Sequence, residues 1–181
     1  MLQTQLLIPD TLLVFIIVIG CLFLSIQTHR LKPDGYRWYQ HTISELGASG
    51  TVHETAVAWH LFFPVGVLAA ALAFVLPSPN HWIPWGFAVG YLGAAWVPCD
   101  RNAPIFGSWK NQLHNGFGAA QYGLFAVAFS KLTAPWSQLG LALLIVFLAT
   151  LYLPIVRNIR GVLQRAVEFV ALGFLIIPLS S

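Results

Sequence analysis

The residues of this chain that could do chemistry gather in a few short stretches. His41, Ser44 and Glu45 fall in HTISELGASG (41–50), and His53, Glu54 and His60 follow at the start of the next apolar run. Asp100 and Arg101 lie in VPCDRNAP (97–104), and His114 opens the run after QL in QLHNGFGAAQ (112–121), which ends on Gln121. Arg165 and Glu168 sit in GVLQRAVEF (161–169). Seven residues are about two helical turns, so His53 and His60 share a helix face, as do His114 and Gln121. Arg165 and Glu168, three apart, are spaced to pair.

Three chemistries fit this set. The first is general acid–base work, with His114 as base and Asp100 or Glu45 orienting it. The second is a metal site built from His114, Asp100, Glu45 and His60, with a divalent ion such as zinc as the implied cofactor. The third is recognition of a charged headgroup, with Arg101 and Arg165 on a phosphate or carboxylate and His60, Gln121 and Glu168 completing the substrate-binding set. Ser44 is the candidate nucleophile, although no activating motif surrounds it. Structural readings compete with each of these. Thr51-x-x-Glu54 and Thr42-x-x-Glu45 are capping-box patterns. Asp100 and Arg101 could form a loop salt bridge, and Arg165 and Glu168 a plain helix pair. His53 and His81 fall near helix ends, where an interfacial place accounts for them. A bis-histidine haem on His60 and His114 is disfavoured, because the repeated paired histidines of membrane cytochromes are missing. No P-loop, G-x-G-x-x-G, G-x-S-x-G, H-E-x-x-H or C-x-x-C motif occurs.

The elements that must position these residues follow from composition. Of 181 residues, 57% are hydrophobic and 8% charged, against roughly 25% charged in a soluble domain. The mean hydropathy is +0.74. Such a chain cannot cover a soluble surface, which excludes a soluble enzyme, a disordered chain and a disulfide scaffold. The expectation is an all-α, polytopic membrane protein with one six-helix transmembrane domain over 1–181. Apolar runs place its helices at about 6–26, 52–76, 83–98, 109–133, 138–153 and 161–178. The first run lacks a basic leader and a cleavage site, so it reads as a retained helix. Pro64 should interrupt the second helix, and Ser108 should cap the fourth. Gly86, Gly90 and Ala94 form a small-xxx-small seam, a contact through which the chain could form a homo-oligomer.

Cys21 and Cys99 make no disulfide framework and are expected reduced. The net charge of +3 reads as topology and not as nucleic-acid binding. With six spans, loops one, three and five share a side. Arg30, Lys32, Arg37, Arg101, Lys110, Arg157, Arg160 and Arg165 fall there, and Lys131 alone falls opposite. The positive-inside rule then puts the basic loops in the cytoplasm and both termini outside, at the cell membrane. The polar cluster lies on the basic side.

HTISELGASG, VPCDRNAP, QLHNGFGAAQ and GVLQRAVEF together resemble the bacterial and archaeal membrane family known as domain of unknown function 998. Ser44, Glu45, Gly47, Asp100, His114 and Arg165 match its pattern. The resemblance implies the same six-helix plan. That plan is more distantly similar to the eukaryotic family of GPI-lipid remodelling proteins and autophagy modulators, which implies lipid chemistry. The leading expectation is a protein that handles membrane lipids or amphiphiles, with hydrolase or acyl-transfer chemistry. A small proton-coupled carrier, with Glu45, Asp100, His114 and Glu168 as relay, is the alternative. A non-catalytic membrane scaffold is the third.

Overall fold

A computed structural model describes residues 30–76, 78 and 81–176. The helix expected at 6–26, with Cys21, lies outside them. The described residues are all-α, without a strand. Five long helices follow one another: α1 (Glu54–Val75), α2 (Trp82–Trp96), α3 (Trp109–Ser130), α4 (Trp136–Tyr152) and α5 (Arg160–Ile176). Each packs on the next in sequence, and α5 also reaches back to α2. The core between them is aromatic. Phe62, Phe125 and Phe129 are fully buried, and Phe87, Tyr91 and Phe174 pack around them.

Local chemistry explains the helix ends. The Ser108 hydroxyl accepts the Asn111 N–H (3.2 Å) and caps α3 as expected. The start of α1 departs from its capping-box pattern. The Glu54 carboxylate reaches past Thr51 and accepts the N–H of Gly50 (2.6 Å), while the Thr51 hydroxyl donates to the Ala48 carbonyl (2.8 Å). Gly50 has φ +73°, a conformation that favours glycine, and the turn it makes presents its N–H to Glu54. Farther along α1, Pro64 has no N–H for the His60 carbonyl. The interruption takes the form of a π turn over Ala58–Phe62, which ends two residues before the proline.

The seam of small residues on α2 is filled from within the chain. A Cβ on Gly90 would collide with the Gln121 side chain, one on Gly86 with the Phe125 ring (2.6 Å), and one on Gly93 with Phe117. These glycines let α3 lie against α2. The face expected to offer a contact to a second copy is therefore occupied by α3.

The exterior of the bundle is apolar: Phe74, Ile145 and Phe169 are about two-thirds exposed or more. By length and composition α1, with 22 residues and an 18-residue stretch of mean hydropathy 2.0, is long and apolar enough to cross a membrane. The apolar stretch Trp136–Ala149 is shorter.

Gly90→Val should lower stability by about 1–3 kcal/mol, the usual cost of overpacking a close contact. Gly116→Ala, where a Cβ meets nothing within 4 Å, should be neutral or mildly stabilising. Thermal unfolding of the two purified variants separates these outcomes.

Candidate functional site

Three connectors meet at one end of the bundle: residues 30–53, 97–108 and 153–159. The first turns of α5 hold them together. Arg160 forms an ion pair with Glu45 (2.7 Å), both side chains being buried. It also donates to the carbonyls of Gln40 and Asn102 (3.2 Å each). The other Glu45 oxygen accepts the Thr42 N–H (2.6 Å) and hydroxyl (3.0 Å). That is the reciprocal half of the capping box read from Thr42-x-x-Glu45, and it closes a short 3-10 turn over Ser44–Gly47. A further bond joins Ser49 N–H to the Cys99 carbonyl (2.8 Å). The loops expected to share a side thus touch one another.

Arg165 does not pair with Glu168. Its guanidinium donates to the carbonyls of Trp38 (2.7 Å), His41 (3.1 Å) and Gly161 (2.9 Å), and to the Tyr36 hydroxyl (2.6 Å). The first loop crosses α5 at Gly161, where a Cβ would strike the Trp38 and His41 carbonyls. Carbonyls brought that close to a helix start need donors, and Arg165 supplies them. Burial pushes the Tyr36 phenol above its ordinary range, an effect that Arg165 opposes.

A cleft of about 520 Å³ opens between the first connector and 97–108. Asp34, Tyr36, His41, Glu45, Arg101 and Asn102 line it. His41 stacks on Tyr36, with ring centroids 5.4 Å apart, and its Nδ1 accepts the Arg37 N–H (2.8 Å). Arg101 donates to the Gly50 carbonyl across the cleft. Of the sequence candidates, Glu45 and Arg101 come together here, with His41 beside them.

A second polar group lies inside the helices. Glu168 accepts from Tyr91 (2.8 Å), Tyr122 (3.3 Å), Gln121 (3.4 Å) and Gln164 (3.4 Å), all of them buried. Gln164 also accepts the Ile43 N–H (2.7 Å), which ties this group to the first loop.

Asp100 and His114 belong to neither group. The Asp100 carboxylate accepts the Ser108 N–H (2.7 Å) and hydroxyl (2.8 Å), which hold it below the usual aspartate range. Its own N–H goes to Asn111, whose amide donates to the Pro104 carbonyl. The loop salt bridge with Arg101 is not formed: the Asp100 carboxylate turns to Ser108 and the Arg101 guanidinium to the Gly50 carbonyl. The buried His114 ring shares its Nδ1 proton with the Val97 carbonyl (2.7 Å) and touches neither Asp100 nor Glu45. His60 faces outward on α1, its Nδ1 on the Ala56 carbonyl (3.1 Å). Among the described residues no three His, Cys, Asp or Glu side chains gather to hold a metal. Cys99 is free and buried, and burial pushes its thiol up to about 12.

Arg160, Gln164, Tyr91 and Tyr122 escaped the sequence reading. A signal existed for the first two: Arg160, Gln164 and Glu168 are successive i, i+4 positions, a polar stripe on an apolar helix. Tyr91 and Tyr122 gave none, since tyrosines in apolar runs read as packing residues.

These features define an all-helical bundle closed at one end by a polar layer of loops, with an open cleft in that layer and a carboxylate buried beneath it. The chain belongs to the family described as "Protein of unknown function (DUF998)", whose model matches residues 16–180. No curated protein and no solved structure matches the chain.

Glu45→Gln or Arg160→Gln alone should destabilise the protein by about 3–5 kcal/mol, because each strands a buried charge or donor. The double variant should cost less than the sum of the two, as a denaturant-unfolding cycle would measure. Asp100 should add stability above its unfolded pKa that disappears as pH falls through the lower folded value. The stability difference between wild type and Asp100→Asn, followed by thermal unfolding against pH, should therefore shrink toward strongly acid pH.

Proposed function

We propose that the chain is a six-helix integral membrane protein whose loop-lined cleft binds the polar head of a lipid or other amphiphile. The cleft carries this reading. Its volume of about 520 Å³ falls within the ~300–1,000 Å³ typical of small-molecule sites. Arg101 lines it, and the Gly50 carbonyl is its one hydrogen-bond partner among the described residues. Most of its five N–H donors are thus available to a phosphate or carboxylate. Asp34 adds negative charge, the Glu45 carboxylate being paired with Arg160, so a zwitterionic head is accommodated as well as an anionic one.

The membrane reading draws on the charge-poor composition, the apolar helix exteriors and α1. The exposed Trp96 and Trp109 rings, on the helix ends that flank the loop layer, suit a membrane interface. The basic loops meet at that end, which favours a cytoplasmic cleft under the positive-inside rule. Binding is a better reading than hydrolysis or acyl transfer. Glu45, Asp100 and His114, the residues expected to act as base or orienting acid, are engaged with Arg160, Ser108 and Val97.

Native mass spectrometry of the full-length protein in mild detergent tests this. Wild type should retain phosphate-headed lipid. Arg101→Ala should weaken that binding about 10–100-fold, as expected for loss of a charge-assisted contact. Lys131→Ala, far from the cleft in sequence, should leave it unchanged. Lipid-free wild type, or equal retention in Arg101→Ala, would refute the proposal.

A further inference from the structure

The loop before α3 holds apolar side chains out of the protein and spends polar ones to keep them there. Phe106 is 89% exposed and Trp109 72%, with Ile105 beside them. Side chains left out in this way ordinarily belong to mobile loop tips. This loop is instead fixed from both ends. The Asp100 carboxylate accepts the N–H and hydroxyl of Ser108, and the Ala103 N–H returns to the Asp100 carbonyl (3.0 Å). From α3, Asn111 donates to the Pro104 carbonyl (2.7 Å) and Gln112 to that of Ile105 (2.9 Å), which Asn115 also reaches (3.2 Å). Ala103 keeps a left-handed φ of +39°, which an alanine adopts only where its surroundings over-determine it. A Cβ on Gly107 would strike the Asp100 carboxylate.

The bracing changes what the tip can enter. Backbone groups away from water must find partners within the protein. Pro104 has no N–H, and the carbonyls of Pro104 and Ile105 and the N–H of Ser108 are partnered by side chains. That lowers the cost of taking the tip out of water. The surroundings say what would cover it. Exposed Trp96 ends α2 and exposed Trp109 opens α3, so the loop is bracketed by the amphipathic rings that sit at headgroup level. From Trp109 the exposed residues Leu113, Gly116, Ala120, Gly123 and Val127 continue along one uncharged face of α3. Lys110 is exposed beside Trp109 and forms no ion pair among the described residues. It complements the charge of lipid phosphates.

We propose that Ile105, Phe106 and Trp109 form an anchor that inserts into one leaflet, between the headgroups and the upper acyl chains of the bilayer, with Lys110 on the lipid phosphates. The anchor rests on the membrane reading given above and is independent of what the cleft binds. It bears on the cleft through Arg101, which belongs to the same braced loop. Seating that loop in the leaflet puts the Arg101 wall of the cleft among lipid heads, and not out in the cytosol.

The test is a fluorescent label at position 106. Full-length Phe106→Cys protein, in a Cys21→Ser background, is labelled with an environment-sensitive maleimide dye and reconstituted into phosphatidylcholine–phosphatidylglycerol vesicles. Buried Cys99 does not compete for the dye, and so exposed a side chain can be exchanged without unfolding the protein. Lipid brominated in the upper acyl chain should quench the dye. Aqueous iodide should quench it several-fold less than the same dye at Asp34→Cys, on the tip of the Pro33–Tyr36 turn. Equal iodide quenching at the two positions overturns the proposal. So does a dye shielded from iodide yet untouched by brominated lipid, which would assign the tip to a second protein surface. Flotation with the vesicles separates the two readings. Protein that floats with position 106 in water loses the anchor alone, and protein that does not float loses the membrane reading and the anchor together.

Discussion

The buried ion pair between Arg160 and Glu45 is the interaction on which the loop end of this protein depends. Loops ordinarily run over a surface where water satisfies their backbone groups. Here three connectors come together, and their carbonyls need donors. Arg160 meets that need from the first turn of α5, because its fork reaches Gln40, Glu45 and Asn102 at once. A lysine, with one ammonium point charge, could not bridge three partners in fixed directions. Glu45 is held in turn by Thr42, so the 3-10 turn and the ion pair form one unit.

The remainder of the polar interior hangs from the same helix. Arg160, Gln164 and Glu168 rise along one face of α5, while Arg165 clamps the first loop from the adjacent face. Gln164 is the joint, bonded to the loop backbone through Ile43 and to the inner carboxylate through its amide. Loop layer and core are therefore not independent. A change at Glu168 reaches the first loop through two hydrogen bonds, and the wall of the cleft is part of that loop.

This layout divides what sequence alone presents as one constellation. His114, Asp100, Glu45 and Arg165 look like the parts of a catalytic centre because they are polar residues in an apolar chain. In the fold they lie in different groups, and each has a nearby structural partner. In a bundle with so little polar surface, a charged group is as valuable for holding backbone as for chemistry. The open cleft is where unspent capacity remains, in the guanidinium of Arg101.

Much of the helical plan was legible in the sequence. Apolar runs marked α1 to α5 to within two or three residues at each end, because helix length and hydropathy are local properties. Ser108 as a cap, Pro64 as an interruption and the turn before Gly47 were readable for the same reason. That the first connector and 97–108 would lie at one end was readable too, since consecutive antiparallel helices leave alternate connectors at the same end. What only the tertiary structure decided was partnership. Thr51-x-x-Glu54 could not reveal that Gly50 would turn its N–H to Glu54. The Gly86, Gly90 and Ala94 seam showed that a helix would approach, but not that α3 would be that helix. Arg165 lies one turn from Glu168, yet it bonds carbonyls more than 120 residues away, because α5 meets the first loop at Gly161. Spacing along a chain fixes which side chains share a face. The choice among the many groups that could face them belongs to packing.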